Sequence, residues 1–456
     1  MFTLRLLKLK IHSRRVFVFK RVLPVFAFLL ASIMIAWPAL NEQKDKFALA
    51  PSSNDLKNNN SDMEAVRYFA KDSEQNPMTI TAQTVRELDS TRKIIGLTKP
   101  NVRYVMSDGV VLSGETSYGL IFQNDKYLYF EEQVDAKTDT GYDAVSEKIV
   151  CDYNAGTLGS EQDVFIKGPA GMLKANGFYM KNKGNYLYFK GYTATLLFQR
   201  EKQIHEVELL DFEQQKSYLK DDAQNIYITS ENGLIINQEE RTVTAQKNID
   251  VYQGKNHLES QNLILYYVRN HTGKTEIQKM IARGNVIVTT PAQRAIGKEM
   301  TVYRARDEIG RVLEKLPQSS EFKTAELPAQ ITVLSGQAML KEGINVVKAD
   351  KIYALYDKTG SEMIKAIALG NMSATNGQQR IYGQKGVYTP ATKNVSVYEK
   401  VSLHEKESVL KGEYATLNLK TGISSLSAPE TGTSTGRVKG QIIPSNFESD
   451  KRSEDK

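Results

Sequence analysis

The chain has 456 residues, 60 of them basic and 53 acidic, for a formal net charge of +7 at pH 7. Its single cysteine, Cys151, excludes an intramolecular disulfide and a thiolate zinc cluster, and His12, His205, His257, His271 and His404 are too scattered to suggest a metal centre. The basic excess does not point to a nucleic-acid partner, because seven basic residues before position 22 account for all of it and leave 53 charges of each sign beyond them.

Residues 1–21 carry those seven, Arg5, Lys8, Lys10, Arg14, Arg15, Lys20 and Arg21, and no acidic residue. Residues 22–40 follow as an uncharged apolar run, Val22 to Leu40. At about 1.5 Å per residue in a helix the run reaches about 28 Å, close to the hydrocarbon thickness of a bilayer. The positive-inside rule then puts residues 1–21 in the cytoplasm, with Trp37 near the far interface and the bulk of the chain across the membrane. A cleaved signal peptide is the competing reading, since Ala48-Leu49-Ala50 has the small residues of a cleavage site. That site lies well beyond an apolar run already longer than the usual signal core of about 7 to 15 residues. Residues 41–75, polar and without apolar periodicity, read as a flexible tether.

From 76 to 200 the pattern becomes one of alternation. Val102, Tyr104 and Met106 share one parity, as do Leu128 and Phe130, Leu187 and Phe189, and Leu196 and Phe198. Period two with apolar residues on one face is the mark of half-buried strands, so these nine are the candidate lining of an apolar inner face. Turn residues at Asp108-Gly109, Thr140-Gly141, Asn154-Ala155-Gly156 and Gly168-Pro169 punctuate the strands. Residues 201–222, rich in Glu, Gln and Lys with Ile204, Val207, Leu210 and Phe212 at mixed spacing, read as a connector. From 223 to 426 the alternation resumes as an internal repeat: the stretch from Gly254 to Tyr267 aligns with that from Gly343 to Tyr356, and Gly284-Asn285 with Gly370-Asn371. A repeat of this kind signals units that cover one another's open face, and its Gly-Asn pairs suit turns with positive φ. The chain is expected to be all-β, a long sheet folded over itself and open at its ends, followed by a disordered tail over 427–456.

No catalytic motif accompanies this scaffold. Walker A, G-x-S-x-G, H-E-x-x-H and Rossmann glycine patterns are missing, and no cofactor is implied. Ser217-Tyr218-Leu219-Lys220 spells S-x-x-K without its companion elements. Adjacent carboxylates such as Glu131-Glu132 and Glu239-Glu240 point to opposite faces of a strand and so do not form an acid-base pair. An anchored sheet with an apolar inner face and open edges is suited instead to cradling acyl chains or pairing edge to edge with another sheet.

The whole chain resembles the lipopolysaccharide-export machinery of Gram-negative bacteria. Residues 1–200 resemble the LptC family, through the basic N-terminus and anchor, Ile80-Thr81-Ala82, the stretch from Leu97 to Tyr104, Gly141-Tyr142, and the stretch from Val164 to Gly177. Residues 223–444 resemble the OstA-like domain of the LptA family, through Ala349 to Tyr356, the two Gly-Asn repeats, Tyr414 to Gly422, and Arg437 to Gly440. The resemblance implies two tandem V-shaped β-jellyroll-like domains stacked end to end, over 76–200 and 223–426. It also implies a groove that takes the lipid A acyl chains of lipopolysaccharide from an inner-membrane Lpt ABC transporter toward LptA-like or outer-membrane LptD-type partners. By that resemblance the chain is a single-pass inner-membrane protein with its bulk in the periplasm, and not an enzyme. Two alternatives stand beside this reading: a periplasmic structural scaffold or adhesin-like β protein without lipid transfer, and an envelope polysaccharide-processing enzyme, which needs convergent carboxylates.

Overall fold

A computed structural model describes residues 63–71, 76–106, 109–169, 171–198, 225–269, 275–317, 327–360, 362–427 and 439–441. The basic segment, the apolar run over 22–40, the connector over 201–222 and most of the tail lie outside them. Among the described residues no helix is long and apolar enough to cross a membrane.

The expected alternation is realised as one antiparallel sheet in which every strand pairs with its neighbours from Met63 to Gln441. Its strands are bent near their middles, so that the sheet has two arms facing each other across an apolar interior. In the N-terminal half the bend is a short break between two strands. Lys99 and Pro100 separate Ile94–Thr98 from Asn101–Val105, and Glu132 and Gln133 separate Tyr127–Glu131 from Val134–Thr138. In the C-terminal half the strand continues through the bend as a β-bulge. The pairing register slips between Arg283 and Val286 in Thr275–Thr289, and between Leu369 and Met372 in Met363–Thr375. The extra residues are the two Gly-Asn pairs, with φ of +80° and +50° at Gly284 and Asn285 and of +79° and +44° at Gly370 and Asn371. Their positive φ was legible from residue type, but they are bulges that bend a strand, not turns that end one.

The Thr-Gly and Asn-Ala-Gly turns sit at strand tips. Gly141 N–H donates to Thr138 O across one tip. Asp152 Oδ1 accepts from the backbone of Asn154 and Ala155 at another, an arrangement that aspartate favours because its short side chain reaches its own turn.

Three features depart from the sequence reading. Residues 63–71, assigned to the tether, form the strand Met63–Lys71, paired with Pro77–Asp89, and Tyr68 from it is buried in the core. The two expected domains are not merely stacked: Tyr186–Phe189 pairs with Leu234–Asn237, and Thr193–Phe198 with Asn225–Ser230, so one sheet runs through the seam. Among its described residues the repeat region also holds one helix, α1 (Arg306–Glu314). Ile309, Val312, Leu313 and Leu316 recur at helical spacing and pack on Ile331, Tyr353, Leu355, Ile367 and Val387, the outer face of the first arm. Asp307 and Glu308 in its first turn and Arg311 in its last suit the helix dipole. Burying Ile309, Val312 and Leu316 stabilises this contact by about 1.5–3 kcal/mol per side chain.

The inner faces set the rest. On the first arm the directly paired inward residues run Leu128, Cys151, Leu158, Met180, Leu187, Ile236, Val243, Leu265, Met280 and Val302 from strand to strand. On the second arm they run Val102, Gly114, Ala136, Ala144, Ile166, Leu173, Thr195, Ile228, Val251, Leu258 and Val288. Both rows cross the seam without a change of face. Thr195 is the polar member at the seam, and its buried hydroxyl has no hydrogen-bond partner among the described residues.

Candidate functional site

Where the facing rows carry small residues, they leave room. Gly114 and Ala136 on the second arm stand in line with Val102 and face Leu128, Phe130, Cys151 and Leu158 on the first, around a cavity of about 100 Å³ with an almost wholly apolar wall. Absent side chains in an otherwise close-packed interior produce such a void, and an apolar void does not hold water. Burial, then the neighbouring Asp152, pushes the Cys151 thiol up to about 12, so it stays protonated near neutral pH. Tyr153, on the same wall, is pushed up to about 12 by burial, then by Asp152 and Cys151.

A second and larger cavity, of about 320 Å³, opens beyond the seam. Leu197, Ile226, Ile228, Val251 and Leu258 line it from the second arm, and Leu263, Leu265, Met280, Met300 and Val302 from the first. Its floor is apolar and its rims are polar: Arg304, Gln330 and Tyr356 on the first arm, Gln253, Asn256 and Gln293 on the second. The two hydrophobic clusters beneath these cavities meet at Val243, which packs against both.

Toward the C-terminal end the arms close. Lys393 at a tip of the first arm donates to Glu342 Oε1 at a tip of the second over 2.6 Å, and Tyr388 donates to Glu342 Oε2 over 3.0 Å. The Lys393 hydrogen bond holds the Glu342 carboxyl below its ordinary value, and the same bond raises Lys393. Behind this clasp Val395, Val397, Ala415 and Leu417 are completely buried.

Of the nine residues singled out from parity, Val102, Tyr104, Leu128 and Phe130 line the first cavity together. Phe189 is buried in the core beside it, and Leu187 packs against that core. Met106 is not on the cavity wall; it follows Asn101–Val105 into the next turn, where its N–H donates to Val110 O. Leu196 is a correction: it packs with Met172, Ala194 and Tyr227 on the outer face of the second arm, while Leu197 lines the second cavity. In Thr193–Phe198 the apolar parity, Ala194 and Leu196, covers a separate apolar cluster on the outer face while Thr193, Thr195 and Leu197 take the inner one, so parity pointed to the wrong side; register with Asn225–Ser230 orients the strand. Phe198 closes that strand, and its side chain lies outside the described residues.

Missed were Leu112, Ala136, Cys151 and Leu158 in the first cavity and the whole wall of the second. The signal for Cys151 was its parity with Ile149 and Tyr153, interrupted by a half-buried Val150 that blurs the pattern. Among the described residues no three of His, Cys, Asp and Glu converge as metal ligands. What the geometry offers is two apolar cavities between the arms, the second with polar rims, of a chemistry fit for alkyl chains.

Comparison with known proteins bears on two stretches. Residues 28–196 match the family described as lipopolysaccharide-assembly, LptC-related, and residues 318–423 match the LptA/LptD N-terminal domain family of LPS transport proteins. The chain thus holds an LptC-related domain and an LptA/LptD N-terminal domain. No curated protein matches it. Among solved structures, LptH of Pseudomonas aeruginosa, described as the LptA homologous periplasmic component of the lipopolysaccharide transport device, is similar at 13% identity. That likeness covers 25% of this chain and 85% of LptH with a TM-score of 0.22, too slight to bear on the fold.

Proposed function

We propose that this chain, an LptC-related and an LptA-like domain in one polypeptide, is a component of the lipopolysaccharide transport bridge. The apolar run over 22–40 would hold it in the inner membrane with its sheet in the periplasm. Acyl chains delivered by the inner-membrane Lpt ABC transporter would lie between the arms and pass toward LptA-like or LptD-type partners at the sheet edge. Val102, Tyr104, Leu128 and Phe130 would form the first station and Leu265 and Met280 a later one. Both matched families are transport families, in keeping with a chain that carries its ligand without chemical change.

The observation that carries this reading is the register of the sheet across the seam. The inward rows pass from Leu187 to Ile236 and from Thr195 to Ile228 without changing face, which supports a trough that leads from one domain into the other. A scaffold needs no such continuity. The fusion supplies in one chain a junction that would otherwise form between two, with the high effective concentration that a covalent link confers.

Photocrosslinking in cells tests it. A photoreactive residue at Tyr104 or Leu265, facing inward, is expected to form adducts with lipopolysaccharide, while at their outward neighbours Arg103 and Tyr266 it is not. Adducts at all four sites alike, or at none in a folded and membrane-bound chain, would leave the scaffold as the better account.

A further inference from the structure

We infer that Arg304 is the seat of an anionic headgroup, so that the second cavity takes an amphiphile with its chains on the apolar floor and its phosphate at the rim of the first arm. This rests on the groove reading given above.

Arg304 follows Val302 by two residues and continues the inward row one step past the apolar wall, on the rim of the cavity. Its Nε donates to Gln330 Oε1 over 3.0 Å, and Gln330 Nε2 donates in turn to Thr332 Oγ1 over 3.3 Å. Gln330 fixes the orientation of the guanidinium through Nε and leaves the Nη1 and Nη2 side of the fork to other acceptors, the geometry that binds two oxygens of one phosphate.

The cations beside it are paired, including Lys279, which also borders the cavity. On the adjoining strand Lys279 pairs with Glu308 at 3.1 Å and Arg283 with Glu299 at 2.8 Å. Arg304 has no carboxylate partner among the described residues. It is exposed on this rim, and the neighbouring walls withdraw enough water to lower its pKa. Partial desolvation of a guanidinium that stays exposed carries a modest cost, and no counter-charge among the described residues offsets it. An anion tethered to an apolar chain that occupies the floor offsets that cost and is bound by both ends.

The test compares two ligands of one chain length and different heads, dodecyl phosphate and 1-O-dodecylglycerol, by titration calorimetry on the full-length chain. The wild type is expected to favour the phosphate. Arg304→Gln should lose about tenfold in affinity for dodecyl phosphate and nothing for the glycerol ether, with Arg304→Lys in between because a point charge cannot make the bidentate contact. Inorganic phosphate in large excess should displace neither. The proposal is overturned if Arg304→Gln binds dodecyl phosphate as the wild type does, or loses both ligands equally. It is overturned also if inorganic phosphate displaces dodecyl phosphate, which marks a plain anion site. Equal wild-type binding of both ligands removes the headgroup seat and spares the groove; wild-type binding of neither removes the groove and the seat with it.

Discussion

Single residues on the inner faces divide into those buried in the core and those that border a cavity, and burial tells them apart. Phe189, 3% exposed and packed in the N-terminal core, belongs to the first kind, whereas Tyr104 is half-buried and borders open space. Phe189→Ala is expected to cost about 3–5 kcal/mol, because it removes contacts and leaves a cavity that the surrounding strands cannot fill. Tyr104→Ala should cost markedly less and weaken ligand capture instead. Urea unfolding of both variants checks this, and equal losses would mean that Tyr104 is core. The sequence made both residues apolar and inward by parity, and that much was readable. Which of them has a void in front of it depends on Gly114 and Ala136, small residues on the facing arm whose alignment with this wall no local pattern announces.

At the scale of elements, the clasp between the arm tips has a definite pH signature. Glu342 titrates below its usual value and Lys393 above, each chiefly through their shared hydrogen bond. The depressed carboxyl contributes stability that is present above its unfolded pKa and lost as pH falls through the lower folded one. The raised amine contributes stability that is present below its unfolded pKa and lost as pH rises through the higher folded one. The melting temperature of the wild type should therefore exceed that of Lys393→Met by a constant margin between about pH 5 and pH 10, and the margin should vanish in acid. An undiminished margin at pH 3 would show that Lys393 acts by packing of its stem. Helix α1 teaches the complementary point. Ile309, Val312, Leu313 and Leu316 spell a helical face, yet they sit in a stretch otherwise dominated by alternation, and the outer face they cover becomes visible only once the strands Gln330–Glu342 and Asn345–Tyr356 are laid side by side.

For the whole molecule the decisive feature is that the sheet does not stop between the two domains. If the seam is an ordinary part of the sheet, amides of Tyr186–Phe189 and Leu234–Asn237 should exchange with deuterium as slowly as those of Gln330–Glu342 and Asn345–Tyr356. Faster exchange confined to the seam would describe two bodies that dock, and would weaken the case for a trough running through both. The strand Met63–Lys71 at one end and Ser424–Ser427 with Lys439–Gln441 at the other are the outermost strands among the described residues, and they are where a further sheet would add.

The sequence by itself determined that this is a β protein of repeating strands with one greasy face, because side-chain alternation acts over a few residues and needs no partner. It also carried the resemblance to the two transport families, which rests on the order of motifs along the chain. Only the tertiary structure decided that the Gly-Asn pairs bend strands instead of ending them, that Leu197 and not Leu196 faces inward, and that both rows cross the seam in register. Those outcomes are set by which residue stands opposite which on a neighbouring strand, and a one-residue slip there exchanges the faces while leaving the alternation of the sequence untouched.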